Sequence, residues 1–136
     1  MKYFYIISIL ITLIGCNKPN IMSDLDFHKY LLAGSGNYHN TEHTWALDSL
    51  VVGGKNFPLS AVQKSYKKTF KYDGTYSDTD GFNGKWDMIS INDLQINIVP
   101  STKQVYKVID INSIRFSYSI TTSSTTFQYY YKIIYE

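Results

Sequence analysis

Few side chains in this sequence are of a type and spacing that could do chemistry. Cys16 is the single cysteine, so its thiol has no disulfide partner in the chain and sits in no Cys/His pattern of zinc-cluster spacing. His39 and His43 stand four apart, which on a helix would aim two imidazoles at one metal. However, Gly36-Asn37-Tyr38 and Asn40-Thr41 do not read as helix, and no third ligand stands near. They read, with His28, as solvated histidines. Asp78-Thr79-Asp80-Gly81-Phe82-Asn83-Gly84 is oxygen-rich like a calcium loop. It lacks the glycine and closing glutamate positions of an EF-hand and reads as a polar hairpin turn. Gly34-Ser35-Gly36 has neither the nucleophile-elbow flanks nor a phosphate-loop ending, and reads as a linker. Lys64, Lys67, Lys68 and Lys71 cluster near Tyr66 and Phe70, a pattern that suits anionic headgroups or single-stranded nucleic acid. The ordinary reading is a solvated strand face whose lysines discourage edge pairing. No carboxylate pair is placed for acid/base work. The sequence therefore predicts no catalytic residue, no metal and no cofactor, and no enzyme.

The cysteine acquires a meaning from what precedes it. Met1 and Lys2 give a positive start, Tyr3 to Ile14 form an uncharged run of twelve residues, and Gly15 and Cys16 follow. A membrane-spanning helix needs ~20 apolar residues, so this run predicts an export signal that is removed. The segment Leu13-Ile14-Gly15-Cys16 resembles the lipobox of bacterial lipoproteins. That resemblance implies cleavage before Cys16 and attachment of diacylglycerol to its thiol. The expected organisation is a signal peptide over 1–15 and a lipidated tether over 16–23. At ~0.8 kcal/mol per buried CH₂ the acyl chains make an effectively permanent anchor. The whole chain carries 13 basic and 11 acidic residues. Without Lys2 the balance is only +1, so lipid rather than a basic patch would hold the protein at a membrane, and nucleic acid is not an expected partner. Asn17 is no acidic retention signal, which is compatible with an outer membrane in the cell envelope.

The elements behind these residues read as mostly strands. A length of 136 residues suits one domain, and 44% hydrophobic against 18% charged residues excludes a disordered chain. The aromatic content of 16% favours pleated, half-buried surfaces. Ser23 can cap a short helix with Asp24 and Asp26 in its first turn and Gly34 past its end, so residues 24–43 read as a helix and linker. From Thr44 alternation replaces helical spacing, and turn residues recur at short intervals through residues 44–136. Gly53-Gly54, Asp73-Gly74, Gly81 to Gly84, Asn92-Asp93, Pro100 to Lys103, Asn112-Ser113 and the hydroxyl-rich Thr121 to Thr126 separate about eight strands. Alternation places Trp45, Leu47 and Val51 on one face of the first strand, and aims Phe70, Tyr72, Tyr76, Trp86, Met88, Phe116, Tyr118 and Tyr129 inward as well. Tyr129-Tyr130-Tyr131 puts rings on both faces of the last strand.

Leu31-Leu32-Ala33-Gly34, the strand opening Thr44-Trp45-Ala46-Leu47, Thr69-Phe70-Lys71-Tyr72-Asp73-Gly74-Thr75-Tyr76, and Asn83-Gly84-Lys85-Trp86 together resemble the lipocalin-like domain of small Bacteroidota lipoproteins. The resemblance runs over about residues 31 to 135. It implies an antiparallel up-and-down β-barrel closed by its first and last strands, preceded by a short helix, with no established enzyme activity. Two interiors fit an eight-stranded barrel, one filled by its own rings and one holding a small ligand. In the second, Trp45, Phe70, Tyr76, Trp86, Met88, Phe116, Tyr118 and Tyr129 would line the pocket for a small hydrophobic molecule. In the first, exposed tyrosines such as Tyr130 and the helix over 24–33 would serve a protein partner in the envelope.

Overall fold

The structure, a computed structural model, describes residues 21–36, 40–100 and 102–135. The export segment, Cys16 and His39 lie outside them. Turn residues and alternation produce the strands where expected: β1 (Glu42–Val52), β2 (Lys55–Phe57), β3 (Lys67–Lys71), β4 (Thr75–Asp78), β5 (Asn83–Ser90), β6 (Asp93–Ile98), β7 (Thr102–Ile111), β8 (Arg115–Thr122) and β9 (Thr125–Ile134). Successive strands from β3 to β9 pair antiparallel, and β1 closes the ring. One edge of β1 pairs with β9 from Thr44↔Ile134 to Val52↔Phe127, and the other pairs with β3 from Glu42↔Lys71 to Ala46↔Lys67. The result is an up-and-down barrel of eight strands. Among the described residues the extra strand β2 pairs only with the end of β1, and Pro58, which lacks a ladder donor, follows it directly.

Two helices close the ends differently. Helix α1 (Asp24–Ala33) is capped by Ser23, whose hydroxyl accepts from the Asp26 amide at 3.1 Å. It ends at Gly34, with φ at 88°, whose amide bonds the Tyr30 carbonyl. Its last turn buries Leu31, Leu32 and Ala33 against the barrel. There Trp45 donates its indole N–H to the Leu32 carbonyl at 2.8 Å, and a His43 ring nitrogen bonds the Leu31 carbonyl at 3.0 Å. His43 thus belongs to a strand and holds the helix down. At the other end, here the mouth, α2 (Ala61–Lys64) is a single turn closed by a capping box between Ser60 and Gln63. Among the described residues no helix is long and apolar enough to cross a membrane.

Three departures from simple alternation have physical causes. Register slips at Asp48 in β1, Ile89 in β5 and Ile109 in β7 mark bulges, each of which advances the inward parity by one. Leu50, not Val51, therefore joins the buried face of β1. Tyr72, expected inside, lies just past β3 and is exposed. Its amide bonds the Thr41 carbonyl outside the β3–β4 ladder. Lys68, expected in solvent with its neighbours, is buried at 5% exposure. It shares the parity of Phe70, and β3 carries that whole face inward. The hydroxyl-rich segment is tighter than its composition suggests, because Thr121-Thr122 and Thr125-Thr126 extend β8 and β9 and leave only Ser123-Ser124 to turn.

Candidate functional site

The interior divides in two. Towards α1, Trp45, Phe70, Phe116, Met88, Leu94 and Ile96 are all below 2% exposed. Phe70 meets Trp86 edge-on at 5.7 Å and Phe116 at 5.9 Å, and Trp45 lies 5.8 Å from Phe116. This half is solid. Of the side chains expected to line a pocket, Trp45, Phe70, Trp86, Met88 and Phe116 belong to this packed floor, and none of them lines either cavity at the mouth.

The other half is built from tyrosines around one lysine. Tyr66 and Lys68 leave the β3 side, Tyr76 and Asp78 leave β4, Tyr106 leaves β7, Tyr118 leaves β8, and Tyr129 and Tyr131 leave β9. Lys68 and Asp78 face each other across the β3–β4 ladder. The Tyr76 hydroxyl accepts a 2.7 Å hydrogen bond from Lys68 Nζ and donates one of 2.7 Å to Asp78 Oδ2. The Tyr66 hydroxyl donates to the same carboxylate oxygen at 2.9 Å. Asp78 Oδ1 accepts from the amides of Asp80 and Phe82, so the aspartate-rich stretch closes a turn and presents one carboxylate edge to the interior. Lys68 Nζ also lies 5.1 to 6.0 Å from the ring centroids of Tyr66, Tyr76, Tyr106 and Tyr118, within cation–π range. Tyr118 stacks on Tyr129 at 5.2 Å and on Tyr131 at 5.7 Å, and the Tyr118 and Tyr131 hydroxyls share a 3.1 Å bond.

Two cavities meet at this lysine. One of about 330 Å³ has Leu47, Tyr106, Tyr118, Ile120 and Tyr129 as walls, with Val62 and Gln63 of α2 at its lip. The second, of about 250 Å³, runs towards Tyr76, Asp78, Ile98 and Gln104. Tyr66, Lys68 and Tyr106 belong to both. Of the expected pocket residues, Tyr118 and Tyr129 line the first and Tyr76 the second. Tyr66 and Lys68, read from the sequence as part of a solvated basic face, and Tyr106, which carries no sequence signal, are the residues that join the two cavities; parity with Phe70 is the signal that turns Lys68 inward.

Burial sets the protonation of the site. Desolvation lowers the Lys68 pKa to about 8, against the pull of Asp78 and Asp80. The tyrosines move the other way. Burial, helped by the Asp78 bond, raises Tyr66 and Tyr76, burial pushes Tyr106 up to about 12, and burial raises Tyr118, Tyr129 and Tyr131. At neutral pH the mouth is thus a ring of neutral phenols around a protonated amine. Such a site can hold a molecule with an apolar or aromatic body and a hydrogen-bond acceptor at one end. No protein-family model matches the chain, and no curated protein matches it in sequence.

Proposed function

We propose that this protein is a lipid-anchored lipoprotein of the bacterial cell envelope whose lipocalin-like barrel binds a small, largely apolar ligand at its mouth. The observation that carries the binding reading is the divided interior: one half is packed solid, while the other leaves about 330 Å³ open beside Tyr106, Tyr118 and Tyr129. Dedicated ligand pockets begin at about this size and share this mainly apolar lining with a few polar groups. The anchor reading rests on Leu13-Ile14-Gly15-Cys16, and with it the membrane becomes the protein's first partner. Asn17, which is no acidic retention signal, is compatible with an outer-membrane location.

Native mass spectrometry of the processed chain, purified from its host's envelope, tests both parts. The expected spectrum carries a diacylglyceryl mass increment on Cys16 and a stoichiometric small molecule that denaturation releases. An unmodified Cys16 within an uncleaved chain would overturn the anchor. A bare barrel in repeated preparations would overturn the carrier reading and move attention to a protein partner in the envelope.

A further inference from the structure

Lys68 is a cation held inside a barrel with no anion directly against it. Among the described residues no carboxylate comes within ion-pair distance of its Nζ. Asp78 stands across the ladder, but the Tyr76 hydroxyl lies between them, and that carboxylate oxygen already accepts from two phenols. An ammonium has three N–H groups. The Tyr76 oxygen takes one, and the others are left to tyrosine rings and to the cavities the lysine joins. Rings repay only part of the cost of burying a full charge.

We propose that the mouth takes a small carboxylate-bearing amphiphile, its head accepting hydrogen bonds from Lys68 Nζ and its body lying against Tyr106, Tyr118 and Tyr129. This rests on the ligand-binding reading above and adds the headgroup and its direction. Asp80, exposed at the rim of the larger cavity, repels an anion at the entrance, while the Asp78 carboxylate deeper in is engaged by the Tyr66 and Tyr76 hydroxyls. The cavity volume keeps the body short.

Isothermal titration calorimetry with octanoate and 1-octanol, which share a chain and differ in head charge, tests this on the chain from residue 16 carrying Cys16→Ser. Every described element lies C-terminal to that point. At pH 7 octanoate is expected to bind about tenfold or more tightly than 1-octanol, the size of a charge-assisted hydrogen bond in a desolvated site. The preference should fall towards unity in Lys68→Met and, in the unmodified chain, as pH is raised from 7 to 10. Of the groups facing the lysine, Asp78 and Asp80 supply negative charge on β4 and its following turn, and Tyr66, Tyr76, Tyr106 and Tyr118 are raised, so loss of the Lys68 proton is the event in that range. If Lys68→Met fails to fold, the pH series decides. Equal affinities at pH 7, or a preference that survives in Lys68→Met, would overturn the headgroup assignment while leaving the cavity reading standing. No binding of either compound would overturn both.

Discussion

Lys68 joins the chemistry of the site to the stability of the fold. Its amine has a pKa of about 8 in the barrel against an ordinary 10.5, because folding strips water from the charged form. Between these values the unfolded chain holds a proton that the folded chain has released, so the contribution of Lys68 to stability rises with pH across that window. Chemical denaturation at pH 7 and pH 9, below the range in which unfolded tyrosines titrate, should show the protein more stable at the higher pH by about 1 kcal/mol. In Lys68→Met that rise should vanish. Towards pH 10 and above the sign reverses, since the tyrosines of the mouth keep their protons in the fold while unfolded ones lose theirs. A rise of the same size in Lys68→Met would assign it to another group. Asp78 supports the same network through four accepted hydrogen bonds. Asp78→Ala should cost about 3 kcal/mol by leaving the buried Tyr76 and half-buried Tyr66 phenols without their acceptor and opening the turn, as read by urea denaturation; a loss below about 1 kcal/mol would mean that water replaces the carboxylate.

At the scale of elements, the helix end and the β5–β6 pair carry the tightest constraints. Leu32 is fully buried and its carbonyl receives the Trp45 indole, so α1 acts as a plug rather than an appendage. Leu32→Ala should cost about 2–5 kcal/mol, whereas breaking the exposed Lys29–Asp87 pair should cost less than about 1 kcal/mol. Equal effects in thermal denaturation would show that the helix is held by its surface. Gly84 lies where a Cβ would stand 2.0 Å from the Asn97 carbonyl oxygen across the ladder. Gly84→Ala must therefore push β5 from β6 and should cost about 2 kcal/mol or more by overpacking. The residues made most of this level readable: the Ser23 cap, the Gly34 stop and the hairpin turns at Asp73-Gly74 and Asn92-Asp93; closure of the barrel by its first and last strands was what the resemblance implied. The bulges at Asp48, Ile89 and Ile109 were not readable. One extra residue in a strand carries no compositional mark, yet it decides that Leu50 rather than Val51 faces inward.

For the whole molecule, the division of labour along the barrel axis is what sequence alone could not resolve. Alternation identifies which rings point inward, but it gives no position along the axis. Trp86 and Tyr129 therefore looked equivalent as pocket residues until the register separated floor from mouth. The two positions should now behave differently. Trp86→Ala removes a ring packed on Phe70 whose indole donates to the Lys71 carbonyl at 2.9 Å, and should cost about 3–5 kcal/mol of stability. Tyr129→Ala should weaken binding of the neutral fluorophore N-phenyl-1-naphthylamine about tenfold with a smaller loss of stability, since this half-buried ring stacks on Tyr118 at one face and borders the cavity. Fluorescence titration beside thermal denaturation separates the two effects, and the opposite pattern would place the site in the floor. The most direct test of a ligand site at the mouth is amide NMR of the chain from residue 16, titrated with the same fluorophore. Perturbations should centre on Leu47, Val62, Tyr106, Tyr118, Ile120 and Tyr129, and leave Leu32, Trp45, Phe70 and Phe116 unmoved. Shifts centred on Trp45 and Phe116, or spread over the outer surface without saturation, would contradict it.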